Sequence, residues 1–548
     1  MHIIIPMSGT GKRFLDAGYT LPKPLIEADG KTIIERVIAL FPGETKFTFI
    51  CNSDHLRTTK MREILLRAAP AGEIVEIAPH KKGPVYAVAR IFDRIADDEE
   101  VIVNYCDFAK YWDYAGFLRH TRGRKADGAI PAYKGFHPHM LGSTNYAFMR
   151  DREQWMLEIR EKEPFTKDRT QEYASDGTYY FRRGDLVKKY FRKLMDADIH
   201  VKGEYYVSMV YNLLVADKLT VSIYEIQHML QWGTPRDLEE YQAWSDYFRR
   251  IIGPLPDGAA RRNSILLIPL AGKGERFRRE GYTVPKPLIE VSGKPMIVQA
   301  AAYLPKAERQ TFVCLDEHAR AYPLEQAIRA AYPEANVVRL DAVTEGQAVT
   351  CAIGLRKADP EAELLIGACD NGMLWDGEAF RRLVEAPAVD AVVWSFRRHP
   401  SAERNPHMYG WLRTTGENDV QAVSVKVPVS MDPYNDHAIV GTFWFRKVRH
   451  FTEALRRMTD RNVRVNNEFY VDSTVNELIG MGLRVKVFPV DSYLCWGTPN
   501  DLRTYEYWQS FFHKCAWHPY RLDKDVTMNP ERVGQLDRKY REFCQKHI

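Results

Sequence analysis

Short apolar runs alternate with amphipathic ones along the chain. HIIIPM (2–7) and ILLIPL (265–270) are compact β-rich runs, and each leads straight into a glycine loop. Stretches with helical spacing follow, for example TIIERVIALF (32–41). Further strand-like runs come next: FTFIC (47–51) and TFVCL (311–315), then VIVNYCD (101–107) and LLIGACD (364–370). Strand alternating with helix predicts βαβ units, hence an α/β fold with a mixed, mainly parallel sheet flanked by helices. In such sheets ligands bind beyond the carboxyl ends of the strands. The glycine loops, Asp107 and Asp370 all follow strand-like runs, so they belong on that edge.

The pattern is written twice. GYTLPKPLIEADGK (18–31) returns as GYTVPKPLIEVSGK (281–294), 263 positions later, and the 19-residue stretches around them agree at 13 positions. GTYYFR (177–182) pairs with GTFWFR (441–446), GEYYV (203–207) with NEFYV (467–471), and WGTPRDL (232–238) with WGTPNDL (496–502). A period this long exceeds the 20–50 residues of solenoid repeats and is the length of a whole domain. The expected organisation is therefore two Rossmann-like domains, 1–252 and 264–515, joined by GPLPDGAARRN at 253–263. The last segment, 516–548, has no counterpart and reads as a polar, amphipathic helix packed against a domain.

Composition narrows the picture. A formal charge of +5 over 548 residues gives no reason to expect a nucleic-acid surface. The eight cysteines include no C-x-x-C pair, and Cys51, Cys106, Cys314 and Cys369 sit in apolar runs, as buried thiols of a reducing cytosol do. The start, MHIIIPMSG, lacks the charged n-region of a signal peptide, and no run of 18 apolar residues exists to span a membrane. A cytoplasmic protein is expected, and nothing argues against a homo-oligomer.

The loops SGTGKRF (8–14) and AGKGERF (271–277) put Gly9, Gly11, Gly272 and Gly274 directly after a strand, where backbone N–H groups can approach a phosphate. The dinucleotide fingerprint fails because Phe14 and Phe277 stand at the third glycine position, and the P-loop fails because Arg13 follows Lys12. A tight turn would explain either loop alone. Its company argues for more: Arg13 and Arg276 follow directly, and Lys23 and Lys286 are each held between two prolines. Backbone donors, an arginine and a rigidly placed lysine make a triphosphate cradle.

G-x-G-x-R-F followed by P-K-P-L resembles the sugar-phosphate nucleotidyltransferase (nucleotide-sugar pyrophosphorylase) family. GY-x-x-PKPLI-x-x-x-GK with a later GEYYV and GTP-x-DL resembles its capsule and lipopolysaccharide branch. The resemblance spans roughly 1–250 and 264–510. It implies that a nucleoside triphosphate binds over the glycine loop, that a sugar phosphate attacks the α-phosphorus, and that pyrophosphate leaves. It further implies Arg13 and Arg276 at the β- and γ-phosphates, Lys23 and Lys286 at the α-phosphate, and Asp107 and Asp370 on Mg²⁺. Gly83 and Gly346 would read the base, and Lys162 and Lys426 would meet the sugar phosphate. Glu204 and Glu468 would contact sugar or metal, or only cap the helix that follows them. The family's second metal aspartate is replaced by Gln231 and Cys495. Three rival readings stand beside this one. One half could serve as a regulatory nucleotide sensor or scaffold. The chain could be a glycosyltransferase, although CDF and CDN supply no D-x-D pair. A pure interaction protein has no reason to keep the cradle twice.

Overall fold

The computed structural model describes residues 1–143, 145–255, 260–416 and 418–545. The linker expected at 253–263 lies partly outside them, at 256–259, and the strand Arg261–Leu270 begins within it. The chain forms two compact units. The first comprises Met1–Ser245, Lys514–His518 and the chain from Arg538; the second comprises Asp246–His513 and Pro519–Asp537.

In the first unit four parallel strands lie side by side in the order Glu73–Ile77, Lys46–Asn52, His2–Met7, Val101–Asn104. The antiparallel strand Thr178–Phe181 follows, then Gly128–Tyr133 and, parallel to it, Val221–Glu225. The second unit repeats this order with Asn336–Leu340, Ala307–Leu315, Arg261–Leu270, Glu363–Ile366, His437–Phe445, Ala391–Phe396 and Val485–Pro489. The expected tandem α/β architecture is what the structure shows. Ile3, Ile4 and Ile5 are all fully buried, so the strand is covered on both faces, which is why it reads as a continuous apolar run and does not alternate. Helix starts follow their caps. At Ile33–Ile38 the Thr32 hydroxyl accepts from the Glu35 N–H, and the Glu35 carboxylate accepts from the Thr32 N–H, a complete capping box.

A small antiparallel ribbon in each unit fixes the site. Phe108–Tyr111 pairs with His228–Gln231, and Asn371–Leu374 with Ser492–Cys495. The ribbons bring the late W-G-T-P motif to the sheet edge: Trp232 N–H donates to the Asp107 carbonyl at 2.9 Å, and Trp496 N–H to that of Asp370 at 2.8 Å. Beyond the duplicated halves, the only long helix among the described residues is Val533–Gln545, preceded by the single turns Leu522–Lys524 and Pro530–Arg532. Within the second unit, Asn529 docks on the backbone of Ser292 and Gly293. Cys51, Cys106, Cys314, Cys351, Cys369 and Cys515 are free and buried. Burial pushes the Cys51 thiol up to about 12. Among the described residues no helix is long and apolar enough to cross a membrane.

Candidate active sites

Each glycine loop turns from strand into helix on a left-handed glycine. Gly11 (φ 65°) precedes Lys12–Asp16, and Gly274 (φ 63°) precedes Glu275–Arg279. A side chain at either position would be strained, and at Gly274 its Cβ would also stand 3.2 Å from Lys286 Cβ. Pro22 and Pro285 then lead into the turns Lys23–Leu25 and Lys286–Leu288. The two lysines meet the two aspartates: Lys23 Nζ donates to Asp107 Oδ2 at 2.8 Å, and Lys286 Nζ to Asp370 Oδ2 at 2.6 Å. Burial alone would lower both ammonium groups, and the paired carboxylates more than offset it, so both are raised and stay protonated at neutral pH. Strand-end aspartates often cap the next turn, but these carboxylates are engaged by lysine.

In the first unit these groups line a cavity of about 420 Å³, within the range of small-molecule sites. It gathers Gly9, Gly11, Arg13, Lys23, Asp107, Lys162 and Glu204. An adjoining pocket of about 260 Å³ reaches Gly83. In the second unit a 260 Å³ pocket gathers Gly272, Gly274, Lys286, Gly346, Asp370 and Glu468. Arg276 and Lys426 do not line it. Both are held electrostatically nearby, Arg276 beside Tyr470 and Lys426 beside Asp472.

Gly83 and Gly346 are required by packing. A Cβ on Gly83 would stand 2.7 Å from the Tyr205 backbone, and one on Gly346 would stand 2.4 Å from Phe469 N. The close approach exists because the GEYYV and NEFYV segments hydrogen-bond across each glycine: Tyr205 N–H to Lys82 O and Val85 N–H to Tyr205 O, Phe469 N–H to Glu345 O and Ala348 N–H to Phe469 O.

Lys162 and Lys426 share an unusual backbone, both left-handed at φ 62°. That conformation costs a non-glycine residue ~1–2 kcal/mol and persists only where the surroundings impose it. Here Lys162 N–H donates to Tyr146 O and Lys426 N–H to Tyr409 O. Lys162 Nζ donates to Tyr206 OH at 2.7 Å, and Tyr206 OH donates in turn to Glu204. In the second unit Lys426 Nζ lies 5.4 Å from the Tyr470 ring centre, and Tyr470 hydrogen-bonds Glu468. The helices Val207–Ala216 and Val471–Gly480 take Tyr206 and Tyr470 as N-caps with no side-chain cap bond, so Glu204 and Glu468 face the cavity network and do not cap the helix.

Sequence reasoning passed over several cavity residues. Tyr206 and Tyr470 stand at matched positions of a motif already in view. His80 accepts or donates to Ser8 Oγ at 2.9 Å, and burial lowers its pKa. Glu161 lines the first cavity. Gln231 and Cys495 end the ribbon strands opposite Phe108 and Asn371, and in each unit an aspartate of the next helix lies nearby. Asp237 accepts from Thr234 N–H and Oγ1, and Asp501 accepts from Thr498 Oγ1 at 2.6 Å and from Cys495 Sγ at 3.3 Å. Burial, with the Asp107 charge as a lesser contributor, raises Asp237 to about 6.

The donor set tests a metal. Asp107 and Asp370 each offer a carboxylate beside a glycine that leaves space. A Cβ on Gly233 would lie 3.3 Å from Asp107 Oδ2, and one on Gly497 would lie 3.1 Å from Asp370 Oδ2. Among the described residues no three His, Cys, Asp or Glu side chains cluster as a metal site. One carboxylate with open space fits Mg²⁺ completing its shell from phosphates and water, and does not fit a zinc site built from protein ligands.

The chain matches the MobA-like NTP transferase domain over residues 3–170 and again over 266–462. It is similar in part to the nucleoside-diphosphate-sugar pyrophosphorylase of Vibrio cholerae RC9, at 22% identity and TM-score 0.36, covering 44% of this chain and 98% of that one. It is also similar to the inositol-1-phosphate CTP transferase of T. maritima, at 16% identity and TM-score 0.36, covering 47% and 99%. No curated protein matches it. The domain matches take in more than half of the sequence and fall once in each half, so the chain belongs to the MobA-like NTP transferase family and is a nucleotidyltransferase that carries its domain twice.

Proposed function

We propose that both halves transfer a nucleotidyl group from a nucleoside triphosphate to a phosphorylated acceptor, a sugar phosphate, and that 1–252 and 264–515 are the two transferase domains. The supporting observation is the lysine–aspartate pair beside a glycine loop, present in both units with the same partners and nearly the same distance. An acceptor phosphate oxygen forms a bond to the α-phosphorus. The bond from that phosphorus to the β-phosphate bridge oxygen breaks, and pyrophosphate carries the electron pair away. The nucleophile is already an anion, so the work is positioning and charge. Backbone N–H groups of residues 9–11 and 272–274 receive phosphate oxygens. Arg13 and Arg276 neutralise the β- and γ-phosphates, and Lys23 and Lys286 the α-phosphate. Lys162 and Lys426 hold the acceptor phosphate, and Gly83 and Gly346 border the base. Asp107 and Asp370 would hold Mg²⁺, which supplies positive charge where it develops in the transition state. The motif variants favour precursors of surface polysaccharides, and the buried free thiols suit a cytoplasmic setting.

Pyrophosphate release from four nucleoside triphosphates against a panel of sugar phosphates tests the reading, on the parent and on Asp107→Asn and Asp370→Asn separately. Each variant is expected to remove a different activity. A variant that removes nothing makes its half a sensor or scaffold, and a parent silent with every pair ends the transfer reading.

A further inference from the structure

Both halves keep a carboxylate in the acceptor region, and they draw it from different segments. In the first half Glu161 closes the strand Trp155–Glu161 and accepts from Ser208 Oγ at 2.6 Å, with Ser208 on the helix Val207–Ala216. The matching positions of the second half are Val425, closing the strand Val420–Val425, and Asp472, on the helix Val471–Gly480. The carboxylate and its small neighbour have traded places. The surroundings have not changed. Glu161 interacts electrostatically with Lys162 and Tyr206, and Asp472 with Lys426 and Tyr470.

Neither carboxylate is demanded by the fold, because the strand accepts Val425 and the helix accepts Ser208. Burying a charge carries a free-energy penalty unless something compensates it. Burial raises the Asp472 carboxyl to about 6, and among the described residues no other side chain donates a hydrogen bond to it. Gly410 leaves room beside it: a Cβ there would stand 2.9 Å from Asp472 Oδ2. What the halves hold in common is a negative group next to the acceptor lysine, whichever segment supplies it.

We infer that Asp472 is the acceptor-orienting carboxylate of the second half, taking a hydrogen-bond donor, hydroxyl or ammonium, on the phosphorylated molecule held by Lys426. This rests on the transfer reading above.

The test uses the full-length protein carrying Asp107→Asn, so that only the second half turns over, with phosphate esters bearing hydroxyl or amine groups. Asp472→Ser is expected to raise the acceptor KM at least ~10-fold with the nucleotide KM within ~2-fold. Adding Val425→Glu installs the first half's arrangement and is expected to return the acceptor KM to within ~3-fold of the parent. Asp472→Asn keeps the shape and separates the two donors: an ammonium acceptor loses its binding, and a hydroxyl acceptor keeps part of it. An unchanged acceptor KM in Asp472→Ser overturns the inference. So does an equal loss for nucleotide and acceptor, or no rescue in a double variant that melts at the parent's temperature. If the second half releases no pyrophosphate with any pair, the transfer reading has failed there. Calorimetry of the same esters with the full chain then decides: binding weakened by Asp472→Ser sustains the inference, and equal or absent binding overturns it.

Discussion

At their glycine loops the two halves share a left-handed glycine, a lysine between prolines, and an aspartate accepting from that lysine at 2.8 Å in one and 2.6 Å in the other, while Arg13 lines the first cavity and Arg276 does not line the second pocket. Beneath the acceptor region they part. The first half buries an ion pair, Lys110 Nζ to Asp176 Oδ2 at 2.7 Å, with both side chains at 0% exposure, and the lysine also donates to Thr178 Oγ1. The second half holds Met373 and Val440 at the matching positions, both buried. Thr442, the counterpart of Thr178, keeps its hydroxyl buried without a partner. The base loop parts as well, HKKGP at 80–84 against VTEGQ at 343–347, with Glu345 paired to Arg464. The glycine loop and its lysine–aspartate pair are alike in both halves, and the residues around Gly83 and Gly346 and around Lys162 and Lys426 differ.

The buried pair gives the largest effect with which to break that comparison. Lys110→Met leaves Asp176 uncompensated and is expected to cost ~3–5 kcal/mol in urea unfolding. The double variant Lys110→Met/Asp176→Val copies the second half and is expected to regain most of it. A single variant as stable as the parent would show that the pair's burial is not what the fold feels.

Next comes the shared end. Lys23→Ala should lower kcat of the first half by ~10²–10³, about 2.7–4 kcal/mol, and leave the second half unchanged, with Lys286→Ala doing the reverse. Equal loss of both activities would mean the sites are not independent. Smaller is the base loop. Replacing residues 80–84 by VTEGQ should move the first half's nucleotide preference toward that of the second by roughly tenfold, about 1.4 kcal/mol, measured as kcat/KM across four triphosphates.

The smallest effect is in pH. Asp237 is raised to about 6 in the folded protein. An unfolded aspartate titrates at about 3.9, so between these values the folded state holds a proton that the unfolded state releases. The stabilisation is complete below the lower value and lost as pH rises through the upper one. Asp237→Asn should flatten that decline in melting temperature between pH 4 and 6.

The duplication made the fold and the phosphate end legible in the sequence, because chemistry that recurs at a fixed offset stands out from its surroundings. Strand runs, glycine loops, Lys23 and Asp107 were all readable for that reason. The acceptor end was not. Within each half the strand ending at Glu161 or Val425 and the helix carrying Ser208 or Asp472 are far apart in sequence, and a carboxylate that changes segment breaks the offset that revealed everything else. Lys110 and Asp176 are 66 positions apart and have no repeat to point to them. The hint that Glu204 caps a helix failed because Tyr206 OH reached its carboxylate first.

The left-handed backbone at Lys162 and Lys426 has a consequence for which substitutions these positions tolerate. Asparagine adopts that conformation more readily than lysine, and valine or isoleucine scarcely at all. On stability alone asparagine is therefore preferred over lysine at both positions, and it carries no positive charge. The proposed hold on an acceptor phosphate would account for a lysine in that backbone in both halves.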